Sequence, residues 1–109
     1  MKNENLVMCV SNSYTKEYYL DEKFDKLPKT VKDELKIMCV LYTEDVGGIF
    51  SMMFDTDGEL QLISTCDEGD LLYDEIGSGL LIKKMRQHKQ ELFESLEKYY
   101  KVFVLKEEL

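Results

Sequence analysis

The chain has 109 residues, 44% of them apolar and 33% charged, which excludes a disordered or fibrous chain and sets the size at one domain with one core. Its formal net charge of −8 argues against a general nucleic-acid binder, because phosphate recognition needs a surplus of Lys and Arg. No apolar run reaches the length of a membrane span.

Residues 1–5 lead into only five apolar positions, 6–10, with no small-residue cleavage site behind them, so no secretory signal is read and the expected location is cytoplasmic. Residues 6–10 have strand composition, Ser11-Asn12-Ser13 has turn chemistry, and residues 14–20 alternate with Tyr14, Lys16, Tyr18 and Leu20 on one side. Together they predict a hairpin. A polar, irregular stretch over 21–27 ends at Pro28, a natural first-turn residue. Leu27, Val31, Leu35, Met38 and Tyr42 then recur at spacings of three and four, the period of a helix face. Ile37 and Leu41 lie beside that face, so a helix here would be buried on most sides. The run 37–42 also fits a buried strand. Gly47-Gly48 stops the segment.

Residues 49–55 are apolar and aromatic, residues 59–65 alternate, and Asp57-Gly58 stands between them. That arrangement predicts a second hairpin closed by a type I′ turn, whose two central residues need positive φ. Asp67-Glu68-Gly69-Asp70 reads as a loop. Residues 71–76 read as a short helical turn capped by Asp67 or Asp70, with Gly77-Ser78-Gly79 interrupting it. Beyond, Leu81, Met85, His88, Leu92, Leu96, Tyr99 and Phe103 mark one long amphipathic helix. Residues 102–105 lose the helical pattern and leave room for a closing strand. The order ββαββα, with or without that last strand, predicts an α+β fold. Its antiparallel sheet is built from two hairpins, with two main helices packed on one face.

The charges are unevenly placed. Residues 37–82 contain no Lys or Arg and ten acids, whereas the flanking segments together nearly balance. Five acids, Asp67, Glu68, Asp70, Asp74 and Glu75, fall within nine positions. They are read either as solvated turn and helix-start residues or as an acidic face that meets a basic protein or a cation.

Most motifs that carry chemistry fail on spacing. Aligning Gly58 with the sixth position of a calcium loop puts Met53 first and Ser64 twelfth, and neither supplies the required oxygen ligand set. One His and three separated thiols, Cys9, Cys39 and Cys66, do not spell a zinc site, and buried free thiols are the better reading. His88 on a helix seam suits packing, or partial exposure at the seam's edge, more than Cys–His catalysis. Asp70 and Asp74 are four apart and share a face only if that stretch is helical. Gly77-Ser78-Gly79 lacks the spacing of a phosphate loop. No catalytic residue, metal site or cofactor is assigned. The seven tyrosines, with pairs at Tyr18-Tyr19 and Tyr99-Tyr100, suit an interface, since one end of the ring is apolar and the other wet. Tyr18, Tyr99 and Phe103 are the candidate dimer contacts.

The phrases Tyr42-Thr43-Glu44-Asp45-Val46-Gly47-Gly48, Phe54-Asp55-Thr56-Asp57-Gly58 and Leu72-Tyr73-Asp74-Glu75-Ile76-Gly77-Ser78 resemble an uncharacterised family of small stand-alone bacterial proteins. The resemblance spans most of the chain and implies no activity. A looser similarity, of supersecondary pattern only, is to roadblock-type dimerising domains, and such a pattern does not license function. The functional expectation is a non-catalytic interaction module acting as a homodimer. The alternatives are an acidic binder of a basic partner and, weakest, a small enzyme or metal protein resting on Asp70, Asp74 and His88. Neither nucleic acid nor membrane is expected as a partner.

Overall fold

The computed structural model describes residues 5–106, so the charged start of the chain, on which the reading of no secretory signal partly rests, lies outside the described residues. Strands β1 (Leu6–Asn12), β2 (Glu17–Leu20), β3 (Ile49–Phe54) and β4 (Leu60–Thr65) form one antiparallel sheet in the order β2-β1-β3-β4. Helices α1 (Lys29–Val46), α2 (Glu75–His88) and α3 (Gln90–Tyr99) pack against it. The fold is α+β, with two hairpins as expected and three helices where two were expected; the first hairpin turns at 13–16, not at Ser11-Asn12-Ser13, because Ser11 and Asn12 pair within β1.

Alternation sorts the sheet into a covered face and an open one. In the pairing register, Ser11, Phe50 and Ser64 are neighbours on the covered face, followed by Cys9, Met52 and Leu62, then by Leu6, Phe54 and Leu60. A bulge between Val7 and Cys9 adds Met8 to the strand, and both Met8 and Cys9 are buried. At the centre of the core Phe54 stacks on Tyr100, with centroids 4.2 Å apart and planes 3° apart, and on Phe24 at 5.7 Å. Phe24 comes from a single 3₁₀ turn, Glu22–Phe24, capped by the Asp21 side chain. The stretch read as polar and irregular thus supplies a fully buried ring, because the turn is long enough only to swing one side chain inward.

Residues 37–42 are helical, not a strand. Helix α1 buries Leu35, Cys39, Tyr42, Thr43 and Val46 as one stripe, while Ile37 and Leu41 are exposed. The helix is therefore covered on one side, not on most sides.

The β3–β4 turn is not the type I′ turn the Asp-Gly pair suggested. Asp55 Oδ1 accepts the backbone N–H groups of Asp57 and Glu59, and the Gly58 N–H donates to the Asp55 carbonyl at 3.0 Å. The turn thus starts one residue early, around Thr56 and Asp57, and Gly58 alone takes positive φ, +82°. This is the three-residue hairpin loop ending in a left-handed residue. Gly58→Val is expected to cost roughly 1–3 kcal/mol through backbone strain. The atom a Cβ would meet there is the flexible end of Lys101. Thermal midpoints check this, and equal values for mutant and parent would remove the strain.

The C-terminal half departs furthest from expectation. Residues 71–76 are not a helical turn, and Gly77-Ser78-Gly79 does not interrupt a helix. Instead α2 begins at Glu75 with Asp74 as its cap, Oδ1 accepting the Gly77 N–H at 2.8 Å. A Cβ on Gly77 would lie 2.3 Å from the Asp74 carboxylate, so the missing side chain lets the cap close. The single long helix breaks at Lys89, where φ is −116°. The break shifts the buried stripe by one position. Phe93, Leu96 and Tyr100 enter the core, and Phe103, the last residue of the expected seam, is exposed. No closing strand forms over 102–105. A π-helical turn, Tyr100–Val104, continues α3, and the Leu105 N–H reaches back to the Tyr100 carbonyl at 2.8 Å.

Candidate functional site

The most unusual surface of the protein lies where the loop after β4 runs into α2. Leu71 is 95% exposed, Leu72 91%, Ile76 79% and Leu80 63%. Ile76 and Leu80 are one helical turn apart and share a face. Only Ser78 of α2 is fully buried, and Leu81, Ile82 and Met85 give the helix a second, half-buried apolar side toward the core. Helix α2 thus carries apolar side chains on two faces, one of them turned outward. Isolated exposed apolar residues are ordinary, but four large ones within ten positions are a candidate contact surface.

Four of the five candidate acids, Asp67, Glu68, Asp70 and Asp74, precede α2, and Glu75 is its first residue, so the acids flank these apolar positions along the chain. Asp70 accepts a hydrogen bond from the Tyr14 hydroxyl and another from the Leu72 N–H. The Tyr14 hydroxyl, with help from that N–H, holds the Asp70 carboxyl below the usual carboxylate range. The same hydroxyl accepts the Asp67 N–H at 2.9 Å, tying the first hairpin to this loop. Asp74 is engaged as the α2 cap. Asp67, Glu68 and Glu75 are exposed. Asp70 and Asp74 do not lie on one helical face, since the helix starts after both.

The first turn of α2 is held by hydroxyls. Ser78 Oγ lies 2.7 Å from the Tyr42 hydroxyl and accepts from the Tyr73 hydroxyl at 2.9 Å, and Tyr73 meets Ser64 at 2.7 Å. Farther along, Arg86 donates to the Leu60 carbonyl at 3.1 Å, and Lys89 pairs with Glu34 at 2.7 Å.

The aromatic candidates separate. Tyr18 lines a cleft of about 570 Å³ between the first hairpin and α1, with Lys16, Lys36 and Thr43, and burial pushes its hydroxyl above the ordinary tyrosine range. Tyr99 and Phe103 border a different depression beside Lys23 and Lys26, their rings 5.0 Å apart. Cys9 and Cys39 are buried with their sulfurs 3.8 Å apart, and the Cys9 contact together with burial raises the Cys39 thiol. Cys66, expected to be buried, is exposed. His88, expected either packed in the seam or partly exposed at its edge, is exposed. Among the described residues, no three His, Cys, Asp or Glu side chains are grouped as metal ligands would be. No described helix is long and apolar enough to cross a membrane. The leucine face was not singled out from the sequence. Its signal was there, in four large apolar residues among acids with no strand or seam to absorb them.

These features define an α+β protein with a four-stranded antiparallel sheet and an apolar, acid-rimmed corner. The chain belongs to a family of unknown function, DUF6145, which matches residues 5–108. That agrees with the resemblance to an uncharacterised family and is silent on bacterial origin and on roadblock-type domains. No curated protein and no solved structure matches the chain significantly.

Proposed function

We propose that this protein is a non-catalytic protein-interaction module that works as a homodimer. The supporting observation is the outward apolar face of Leu71, Leu72, Ile76 and Leu80, which is costly to leave in water at about 25 cal/mol for each Å². This face is favoured over the Tyr99–Phe103 edge because Tyr99 already packs on Phe24, at 6.1 Å, and Phe103 on Tyr99. Tyr18 contributes to the inner wall of the fold, with its hydroxyl buried beside the two thiols.

Light scattering on the whole chain tests the reading. The expected mass is twice 12.8 kDa, falling toward 12.8 kDa on dilution. A mass of 12.8 kDa at every concentration overturns the homodimer.

A further inference from the structure

We infer that the dimer interface is α2 packed antiparallel on α2 of a second copy, with each copy serving as the basic partner of the other's acidic corner. The inference rests on the homodimer reading above and adds to it the surface, the orientation and the charge pairing.

The argument starts from the two ends of α2. Before and at its N-terminus stand Asp67, Glu68, Asp70, Asp74 and Glu75, while Lys83, Lys84, Arg86 and Lys89 follow in its C-terminal half. Arg86 and Lys89 are engaged within the chain, on the Leu60 carbonyl and on Glu34. Lys83 and Lys84 are exposed, one on each side of the stripe that Ile76 and Leu80 form. A helix with acids at one end, bases at the other and an apolar stripe between them is complementary to itself when turned end for end.

The geometry follows from the helix repeat. A two-fold axis at the level of Ser78 sets Ile76 against Leu80 of the other copy, and Leu80 against its Ile76. Lys84 borders that stripe, and its four-carbon stem covers apolar surface while its charge stays in water. Glu75 and Lys83 lie on the same flank of the stripe, and a two-fold of this kind brings like flanks together. Lys83 of each copy therefore meets Glu75 of the other, and Lys84 reaches toward the acidic loop. Every contact occurs twice, as an isologous interface requires. The helix dipoles also oppose one another. A parallel arrangement would instead set acid on acid and base on base, which complementary interfaces avoid.

Charge exchange is the test, on the full chain and with circular dichroism to confirm folding. Lys83→Glu with Lys84→Glu gives one variant, and Glu68→Lys with Glu75→Lys gives the other. None of these four side chains caps a helix or enters the core. Each variant alone is expected to dissociate with a Kd raised at least about tenfold over the parent. An equimolar mixture of the two is expected to recover the dimeric mass as a heterodimer, and the recovery should weaken with salt as exposed charges are screened. A parent that is dimeric while both variants remain equally dimeric overturns this interface and leaves the homodimer standing. A mixture that stays monomeric also overturns the pairing. A parent that is monomeric at every concentration removes both readings.

Discussion

Phe54→Ala is expected to destabilise the protein by about 3–5 kcal/mol, the cost of a large cavity in a packed core. Phe54 is fully buried, and its ring is held between Phe24 and Tyr100, so two distant parts of the chain lose a common neighbour at once. Denaturant unfolding reads the loss as a lower midpoint at unchanged slope. Phe103→Ala is the internal control. Phe103 is exposed and contacts one ring, so its removal should cost within about 1 kcal/mol. Similar costs for the two substitutions would show that the stacked rings do not organise the core.

Gly48→Ala is expected to cost roughly 2–5 kcal/mol, although it adds one methyl group. Gly48 holds φ at +70°, and a Cβ there would stand 2.2 Å from the Thr65 carbonyl oxygen and 2.9 Å from the Tyr73 ring. The carbonyl is backbone of a residue paired in register with Ile49, so it cannot withdraw without parting β3 from β4. The contrast with Gly58 is instructive, because there the obstacle is a lysine stem that can swing away. Thermal unfolding of the two variants side by side checks the difference. A Gly48→Ala midpoint at or above that of Gly58→Val would show that β3 and β4 accommodate the methyl.

What could be read in the sequence was what local chemistry dictates. The alternation of residues 59–65 and the Asp-Gly pair announced a hairpin, and the apolar positions of α1 announced a helix ended by Gly47. What was misread depended on groups remote in sequence or on competition between nearby ones. The hairpin turn moved because Asp55 captures two backbone N–H groups, a choice the Asp57-Gly58 pair does not reveal. The break at Lys89 carries no Gly or Pro to mark it. It is set by the need to face Phe93, Leu96 and Tyr100 into a core completed by Phe24 and Phe54, while Lys89 reaches Glu34. Gly77-Ser78-Gly79 looked like a helix breaker, yet Ser78 meets Tyr42, thirty-six positions away, and that contact seats it in a helix. As for the candidate surface, the acids were visible as a block. The outward turn of Leu71, Leu72, Ile76 and Leu80 was not, since only the packing of the rest of α2 shows which of its apolar side chains are left over.

The hydroxyl chain Ser64–Tyr73–Ser78–Tyr42 has a bearing on how the molecule comes apart. Helix α2 buries little of itself and is fastened at one end by these hydroxyls and at the other by Arg86 and Lys89. Net of competition with water, each such polar fastening is worth about 1 kcal/mol, well below the anchoring that the aromatic stack gives to the sheet and α3. Local opening of a protein follows its least buried cooperative unit. Among the three helices, α2, with Ser78 its one buried residue, is expected to open first, as a flap hinged at both ends that lifts while the sheet stays closed, and amide hydrogen exchange reads this. A second copy laid along α2 would then act as a clasp, raising the cost of that first opening without touching the core.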